Sequence, residues 1–385
     1  MIPFVLFWGA ASLIGYVVAG FPALILTLAR MRPRPFVEAD ITPSVSVIVA
    51  AHDEEAVIGE KLRNLLATDY TGSLQVIVAS DGSNDGTVAA ARGVDDGRVE
   101  VLDLPRLGKA RALNAAVERA AGEVLVFTDA NSMLAPTSLG ALVRPLADPA
   151  VGGVAGNQVY AAAAGDGLGE RAHWDLDRRL KQAESRVGNA ISATGALYAI
   201  RAELFEPVVE GVTDDFYTST GVISRGKRLV FAPDATATEA VAVDGDKEFQ
   251  RKQRVMTRGF QSLRARRELL DPRRTGLYAI ELWTYKVLRR LLTVPLVVMT
   301  LTAPLLWRRS RLYRLAALAQ GGFWALAMAG IAARHRRIGR HPLLALPAFA
   351  VAGMWASLRA LLNVLTGRSI TVWDTTREPA GDRAA

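Results

Sequence analysis

Cysteine is absent from the 385 residues, which rules out a disulfide framework and any thiolate metal site. Histidine is scarce, with four in the chain. That argues against a His-rich metal cluster, so a divalent ion would rest mainly on oxygen ligands. There is no aromatic-basic interleaving of the kind that suggests base stacking, so nucleic acid is not an expected partner. Charge itself is missing from residues 1–29. This run is long enough to span a bilayer as a helix, and Arg30, Arg32 and Arg34 follow it at once. A secretory signal would carry its positive charge before a shorter apolar core. The positive-inside rule therefore puts residue 30 onward in the cytoplasm.

Apolar and basic residues are what the chain has in excess. Half of it is hydrophobic, and the mean hydropathy is +0.19. The net charge of +8 is concentrated: residues 271–385 hold 17 Lys/Arg against 5 Asp/Glu, whereas residues 41–270 hold 26 against 31. The basic surplus thus lies among three apolar stretches, 291–307, 315–333 and 343–365. That placement favours anionic membrane lipid as a partner. Arg359 interrupts the last stretch and either snorkels or faces a protein interior. Residues 278–290 mix Trp283, Tyr285 and Leu288 with Lys286, Arg289 and Arg290, which predicts an interfacial amphipathic helix. The links 308–314 and 334–340 are both basic, so charge alone does not orient this end, and a re-entrant segment is one solution. The expected division is a transmembrane helix at 1–29, a cytoplasmic domain at 41–270, the interfacial helix at 278–290, transmembrane helices over 291–366 and a tail at 367–385.

Between the apolar ends, short β-branched runs alternate with helical patterns. The strand candidates are 44–50, 74–79, 99–102, 124–127 and 151–159, and the helix candidates 54–67, 87–92, 109–121 and 138–146. Continuous apolar runs suit strands buried on both faces, so an α/β domain with a mostly parallel sheet is expected. Ligands in such sheets sit at the carboxyl ends of the strands. Carboxylates stand there in Asp53-Glu54-Glu55, in "DGSNDGT" from Asp81, and in Asp129-Ala130-Asn131. Asp81 can accept from the ring N–H of uracil, and guanine offers a comparable donor pair. Taken alone, "DGSNDGT" reads first as a loop turned by Gly82 and Gly86, with Asp85 or Thr87 starting a helix. Lys109 opens an amphipathic helix, where it either reaches a phosphate with the help of the helix N-terminus or is a solvated surface lysine. Asn131 offers a carbonyl oxygen to Mg²⁺ or Mn²⁺, or caps a following helix.

The stretches "VSVIVAAHDEE", "VIVASDGSNDGT", "GKARALNAA", "VLVFTDANS", "SATGALYAIR", "VTDDF" and "EFQRKQRVMTRG" occur in this order over residues 44–260. As an ordered set they resemble the membrane-bound family 2 inverting glycosyltransferases, the polysaccharide synthase-like enzymes of GT-A type fold. The resemblance implies that Glu54 and Asp81 hold the nucleoside of a nucleotide sugar, with Lys109 beside the nucleotide and Arg254 at the pyrophosphate. It makes Asp129 and Asn131 the ligands of Mg²⁺ or Mn²⁺, and Asp214-Asp215 an acidic pair whose second member is the catalytic base. Gly195 and Ala196 would leave room for the acceptor sugar, and Arg201 would be either structural or part of that site. Four positions depart from the family pattern: Asp53 for a frequent asparagine, Ser80 for a frequent aspartate, Asn131 for the second metal aspartate, and no tryptophan after Arg254. The last removes an aromatic acceptor platform and weakens a processive reading.

The implied activity is hexosyl or N-acetylhexosaminyl transfer, with inversion, from a nucleotide sugar to a growing glycan or glycolipid at the cell membrane. UDP is the favoured nucleotide and GDP the second. Transfer to a polyprenyl phosphate or ceramide-type carrier is the alternative acceptor chemistry. A nucleotide-binding membrane scaffold or transporter is the alternative of a different class.

Overall fold

Every residue of Val45–Ala51 is buried, as a strand covered on both faces requires. In the computed structural model, which describes residues 1–160, 168–239, 245–334 and 336–366, this strand (β1) lies inside an eight-stranded sheet. The others are β2 (Leu74–Asp81), β3 (Val99–Leu104), β4 (Val124–Phe127), β5 (Met133–Leu134), β6 (Val151–Tyr160), β7 (Tyr198–Arg201) and β8 (Arg228–Glu239). The helices are α1 (Ile2–Gly15), α2 (Phe21–Met31), α3 (Glu55–Leu66), α4 (Thr87–Arg92), α5 (Lys109–Glu118), α6 (Ser138–Val143) and α7 (Leu168–Val187). They continue with α8 (Asp214–Ser224), α9 (Gly245–Ala265), α10 (Pro272–Thr275), α11 (Leu277–Leu282), α12 (Thr293–Leu305), α13 (Arg311–Ala332) and α14 (Pro342–Leu365). The expected tail at 367–385 lies outside the described residues.

The chain divides into two compact units. One of them, built from the described residues within 25–239 and 261–279, holds the sheet, in the order β3-β2-β1-β4-β7-β6-β8-β5. Its first half is parallel: β1 pairs with β2 and β4, and β2 with β3. Each connection there contains a helix, α3, α4 and α5 in turn. After β3 the chain returns to the other side of β1, so the strand order reverses between β1 and β4, where α/β sheets form their ligand crevice. The second half is mixed. β7 runs antiparallel to both β4 and β6, β8 is parallel to β6, and β5 closes the edge antiparallel to β8. Strands β5, β7 and β8 were absent from the sequence expectation. β8 carries Pro233, and its pairing with β6 jumps between Ala155 and Asn157, which interrupts the period that would mark a strand. The core packs Val47, Val49, Val76, Val78, Val126 and Val154 against Ile58, Leu62, Leu65, Leu139 and Leu142 from the helices.

The other unit holds the described residues within 1–24, 245–260 and 280–366. Among the described residues of the chain, three helices are long and apolar enough to cross a membrane: Ile2–Met31, Arg311–Ala332 and Pro342–Asn363. The expected span at 291–307 is not one of them. There α12 has 13 residues, about 20 Å of helix against a hydrocarbon core of about 30 Å. It passes the same test only as a pair with the helical run Leu277–Leu291, from which it is bent by 51°. The stretch expected as a regular interfacial helix is α11 followed by a π-turn at Trp283–Leu288 and a 3₁₀ turn at Arg289–Leu291. Within this unit, polar side chains tie the helices together. Trp8 donates to the Tyr313 hydroxyl at 2.9 Å, Trp324 donates to Thr300 Oγ1 at 3.1 Å, and Thr300 bonds Gln320 at 2.8 Å. Arg359 is exposed, with its guanidinium 5.3 Å from the Trp355 ring centre.

Candidate active site

The loops after β1 and β2 are laced together before any ligand is considered. Asp53 N–H donates to Ser83 Oγ, Asp53 Oδ1 accepts from Asn84 N–H at 2.8 Å, and Glu55 Oε2 accepts from Gly86 N–H at 3.0 Å. Asp53 takes φ +50°, the left-handed region in which Asn and Asp are the tolerated side-chain-bearing residues. That explains why aspartate can stand where the family more often has asparagine. Asp85 accepts from Thr87 N–H at 3.0 Å and so caps α4, whose N-cap position is Gly86. Glu54 is buried, and its N–H donates to Thr87 Oγ1 at 2.8 Å.

Asp81 closes β2 and is 1% exposed. Its Oδ1 accepts from the backbone N–H groups of Leu107 and Gly108, at 2.7 and 2.8 Å, and its Oδ2 faces Arg106 Nη1 at 3.1 Å. Both carboxylate oxygens therefore hold the 106–108 turn that leads into α5. Gly82 has φ +59°, and a Cβ there would stand 2.6 Å from Arg106 N, so the turn needs glycine twice over. Arg106 escaped the sequence reading; its position just before "LGK" was the available signal.

That turn delivers Lys109 to the centre of the site. Its amine lies 2.9 Å from Asp129 Oδ1 and 3.0 Å from Asp214 Oδ2. Burial alone would lower the Lys109 amine, but the carboxylates of Asp129 and Asp214 outweigh it and hold it above the usual lysine value. Lys109 is thus a bridge between two acids and not a solvated surface residue. Asp214 and Asp215 form the first turn of α8, where the helix dipole favours negative charge. Thr213 occupies the N-cap position but makes no side-chain cap bond. Burial, then the negative field of Asp214, Asp215 and Asp129, pushes the Tyr198 phenol up, so the three carboxylates act on one buried group.

Asn131 is half-buried two residues beyond Asp129. The segment after it enters strand β5, so the expectation that Asn131 caps a helix does not hold. Gly195 sits against Asp129: its carbonyl accepts from Asp129 N–H at 3.0 Å, and a Cβ at 195 would lie 2.6 Å from Asp129 Oδ2. The space expected for an acceptor sugar at Gly195 is taken by the Asp129 carboxylate. Ala196, also expected beside the acceptor, is 1% exposed and belongs to the core, with its carbonyl accepting from Thr128 Oγ1 at 2.7 Å. Arg201 is structural: its guanidinium donates to the carbonyls of Leu146, Asp148 and Val151. Arg254 lies half-buried on α9 in the other unit, and side chains 245–253 of its motif fall outside the described residues.

Among the described residues no cluster of three His, Asp, Glu or Cys side chains could hold a metal ion. Asp129 and Asn131 offer two hard oxygen donors. Such a pair suits an ion that brings a diphosphate and water as its remaining ligands.

The reversed strand order, with its rim of carboxylates around a lysine, belongs to a mixed α/β sheet of GT-A type. The chain is similar in fold to a mannosyltransferase from Pyrobaculum calidifontis solved in complex with GDP-Man and Mn²⁺, with a TM-score of 0.69 and 26% identity over 93% of this chain and 99% of that one. Residues 43–261 match the model of the Glycosyltransferase like family 2, and the chain belongs to that family. It is 29% identical over 236 residues to an N-acetylglucosaminyltransferase of Rhizobium leguminosarum bv. viciae, covering 56% of this chain and 55% of that protein. It is 28% identical over 221 residues to a beta-monoglucosyldiacylglycerol synthase of Trichormus variabilis, covering 54% and 47%. The chain spans about half the length of these curated relatives.

Proposed function

We propose that this chain is a membrane glycosyltransferase that moves a hexosyl or N-acetylhexosaminyl group from a nucleotide sugar to a glycan or lipid-linked acceptor, with inversion at the anomeric carbon. The observation that carries the reading is Lys109 held between Asp129 and Asp214 at the point where the strand order reverses. A lysine there faces the diphosphate of a donor lying across the strand ends, and offsets charge as the leaving group departs. Asp215 takes the proton of the attacking hydroxyl. A single base opposite the leaving group yields the inverted product. Glu54 and Asp81 shape the nucleoside side of the crevice, Asp81 by holding the 106–108 turn with both carboxylate oxygens. The family pattern alone assigns Arg254 to the pyrophosphate. Asp129 and Asn131 are the residues to hold Mg²⁺ or Mn²⁺, an ion that supplies further compensation for phosphate charge. The catalytic domain, 41–270, faces the cytoplasm, and the apolar helices at 1–29 and beyond 290 anchor it.

UDP-linked sugars are the first donors to test, and the N-acetylglucosaminyltransferases among the relatives support N-acetylglucosamine as the sugar moved. GDP-mannose is the second, supported by the solved mannosyltransferase that matches along nearly the whole chain. The test is nucleoside diphosphate release by the full-length protein in detergent with UDP-N-acetylglucosamine, UDP-glucose and GDP-mannose. NMR of the product reports the anomeric configuration. Release from none of them, in protein that binds nucleotide, would leave the scaffold reading in its place.

A further inference from the structure

The buried face of α3 is made of Ile58, Lys61, Leu62 and Leu65. Three of these are what a helix on a sheet requires. The fourth is a lysine with 0% exposure, and an ammonium in such a place is costly unless it is answered. Burial pushes the Lys61 amine down to about 7, with Asp129 and Glu239 pulling it partly back.

Its partners all lie in one short segment. The amine donates to Thr128 Oγ1 at 2.9 Å and to the Ser132 carbonyl. One turn along the same helix face, Asn64 makes a two-way clasp on Leu134: its Nδ2 donates to the carbonyl at 2.9 Å, and its Oδ1 accepts from the N–H at 2.8 Å. From the opposite side, the Ser132 hydroxyl donates to Glu239, whose other oxygen accepts from Gln158 Nε2 at 2.8 Å. The segment pinned in this way, 128–134, is the one that carries Asp129 and Asn131.

We propose that Lys61, with Asn64, is a positioning residue for divalent metal binding: it fixes the 128–132 turn so that the side-chain oxygens of Asp129 and Asn131 converge on one ion. This rests on the reading of those two residues as the metal ligands. Lys61 makes its contacts beneath the turn and needs none with donor or acceptor. An apolar residue would serve the core better at this position, so the lysine is explained by the turn that answers it. Its loss should register in metal binding more than in folding.

The experiment uses the full chain in detergent. Calorimetry measures UDP binding, and separately GDP binding, across a Mn²⁺ series for the wild type, Lys61→Met, Asn64→Ala and Asp129→Ala. Outer partners of metal ligands typically cost about 10–100-fold in metal affinity when removed. Lys61→Met should therefore raise the Mn²⁺ concentration that half-enhances nucleotide binding by about tenfold or more, and Asn64→Ala should raise it less. Metal-free nucleotide affinity should stay at the wild-type value, which a merely unfolded site would not allow. A folded Lys61→Met protein with wild-type Mn²⁺ dependence overturns the proposal. If that variant does not fold, Asn64→Ala decides on the same readout. If Asp129→Ala also keeps the wild-type Mn²⁺ dependence, the metal reading itself fails and the proposal falls with it; if only Lys61→Met and Asn64→Ala keep it, the positioning role alone is lost.

Discussion

Lys109→Met is the perturbation that separates the two cations claimed by Asp129. The lysine amine lies 2.9 Å from Asp129 Oδ1 and 3.0 Å from Asp214 Oδ2, with side chains 16%, 36% and 18% exposed. At about 3 Å, Coulomb attraction between unit charges is about 1.4 kcal/mol at the dielectric of water and about 5.5 kcal/mol at an effective dielectric near 20. The exposure of Asp129 pulls the value toward the lower end, and the desolvation of lysine offsets part of what remains. A net hold of about 1–2 kcal/mol is the result. A metal ion binding Asp129 in the free protein must overcome that hold. Methionine keeps the length of the side chain and removes the charge. Mn²⁺ affinity without nucleotide should therefore rise by about 5–30-fold, the equivalent of 1–2 kcal/mol. Affinity for UDP or GDP should fall, because a cation facing the diphosphate is lost. The assay is loss of the free Mn²⁺ EPR signal on titration of the detergent-solubilised protein, with a thermal melt as the fold control. Unchanged or weaker Mn²⁺ binding in folded Lys109→Met protein would refute the competition between lysine and metal for Asp129.

Three further outcomes are expected. Asp215→Asn should cut turnover by about 10²–10⁴-fold, the usual contribution of a general base, with Mn²⁺ and nucleotide affinities near wild type; steady-state kinetics beside calorimetry checks this. Asn131→Asp should keep turnover and lower the Mn²⁺ concentration needed for half-maximal activity, because it adds a carboxylate to the donor pair. Burial pushes the Lys61 amine down to about 7 from the ordinary lysine value of 10.5, so the unfolded chain binds more protons between those limits. The cost of burying it is full below about pH 7 and is relieved as pH rises toward 10.5. Thermal midpoints of the wild type should accordingly gain with pH relative to Lys61→Met, by at most about 1.4 kcal/mol per pH unit.

The parallel half of the sheet was readable because β1, β2 and β4 are apolar runs buried on both faces, with a helical pattern after each. The mixed half was not. β7 is four residues long, and β8 bends at Pro233, where its register with β6 slips. At the site, Asp129, Asp214 and Lys109 stood out as short motifs at strand and helix ends. Their mutual contact did not, since nothing local in "GKARALN" or "VTDDF" says that one amine reaches both acids. Lys61 was hidden for the opposite reason. In a helix read by apolar period, a charged residue on the inner face looks like a break in the pattern, although it is the pattern's most informative member. Gly195 was read as room for a ligand, when the room belongs to a neighbouring side chain whose direction only the folded chain reveals.

Gly195 also bears on how the site can be interrogated. Alanine scanning is read as subtraction: a side chain is trimmed and its contribution is inferred from the deficit. At position 195 the same change is an addition, since the new methyl would stand 2.6 Å from Asp129 Oδ2. Any deficit there would record a displaced carboxylate and nothing about glycine's own contacts. Libraries that place every residue type at 195 should therefore return one tolerated letter, as a binding residue would, although no ligand need ever touch that position.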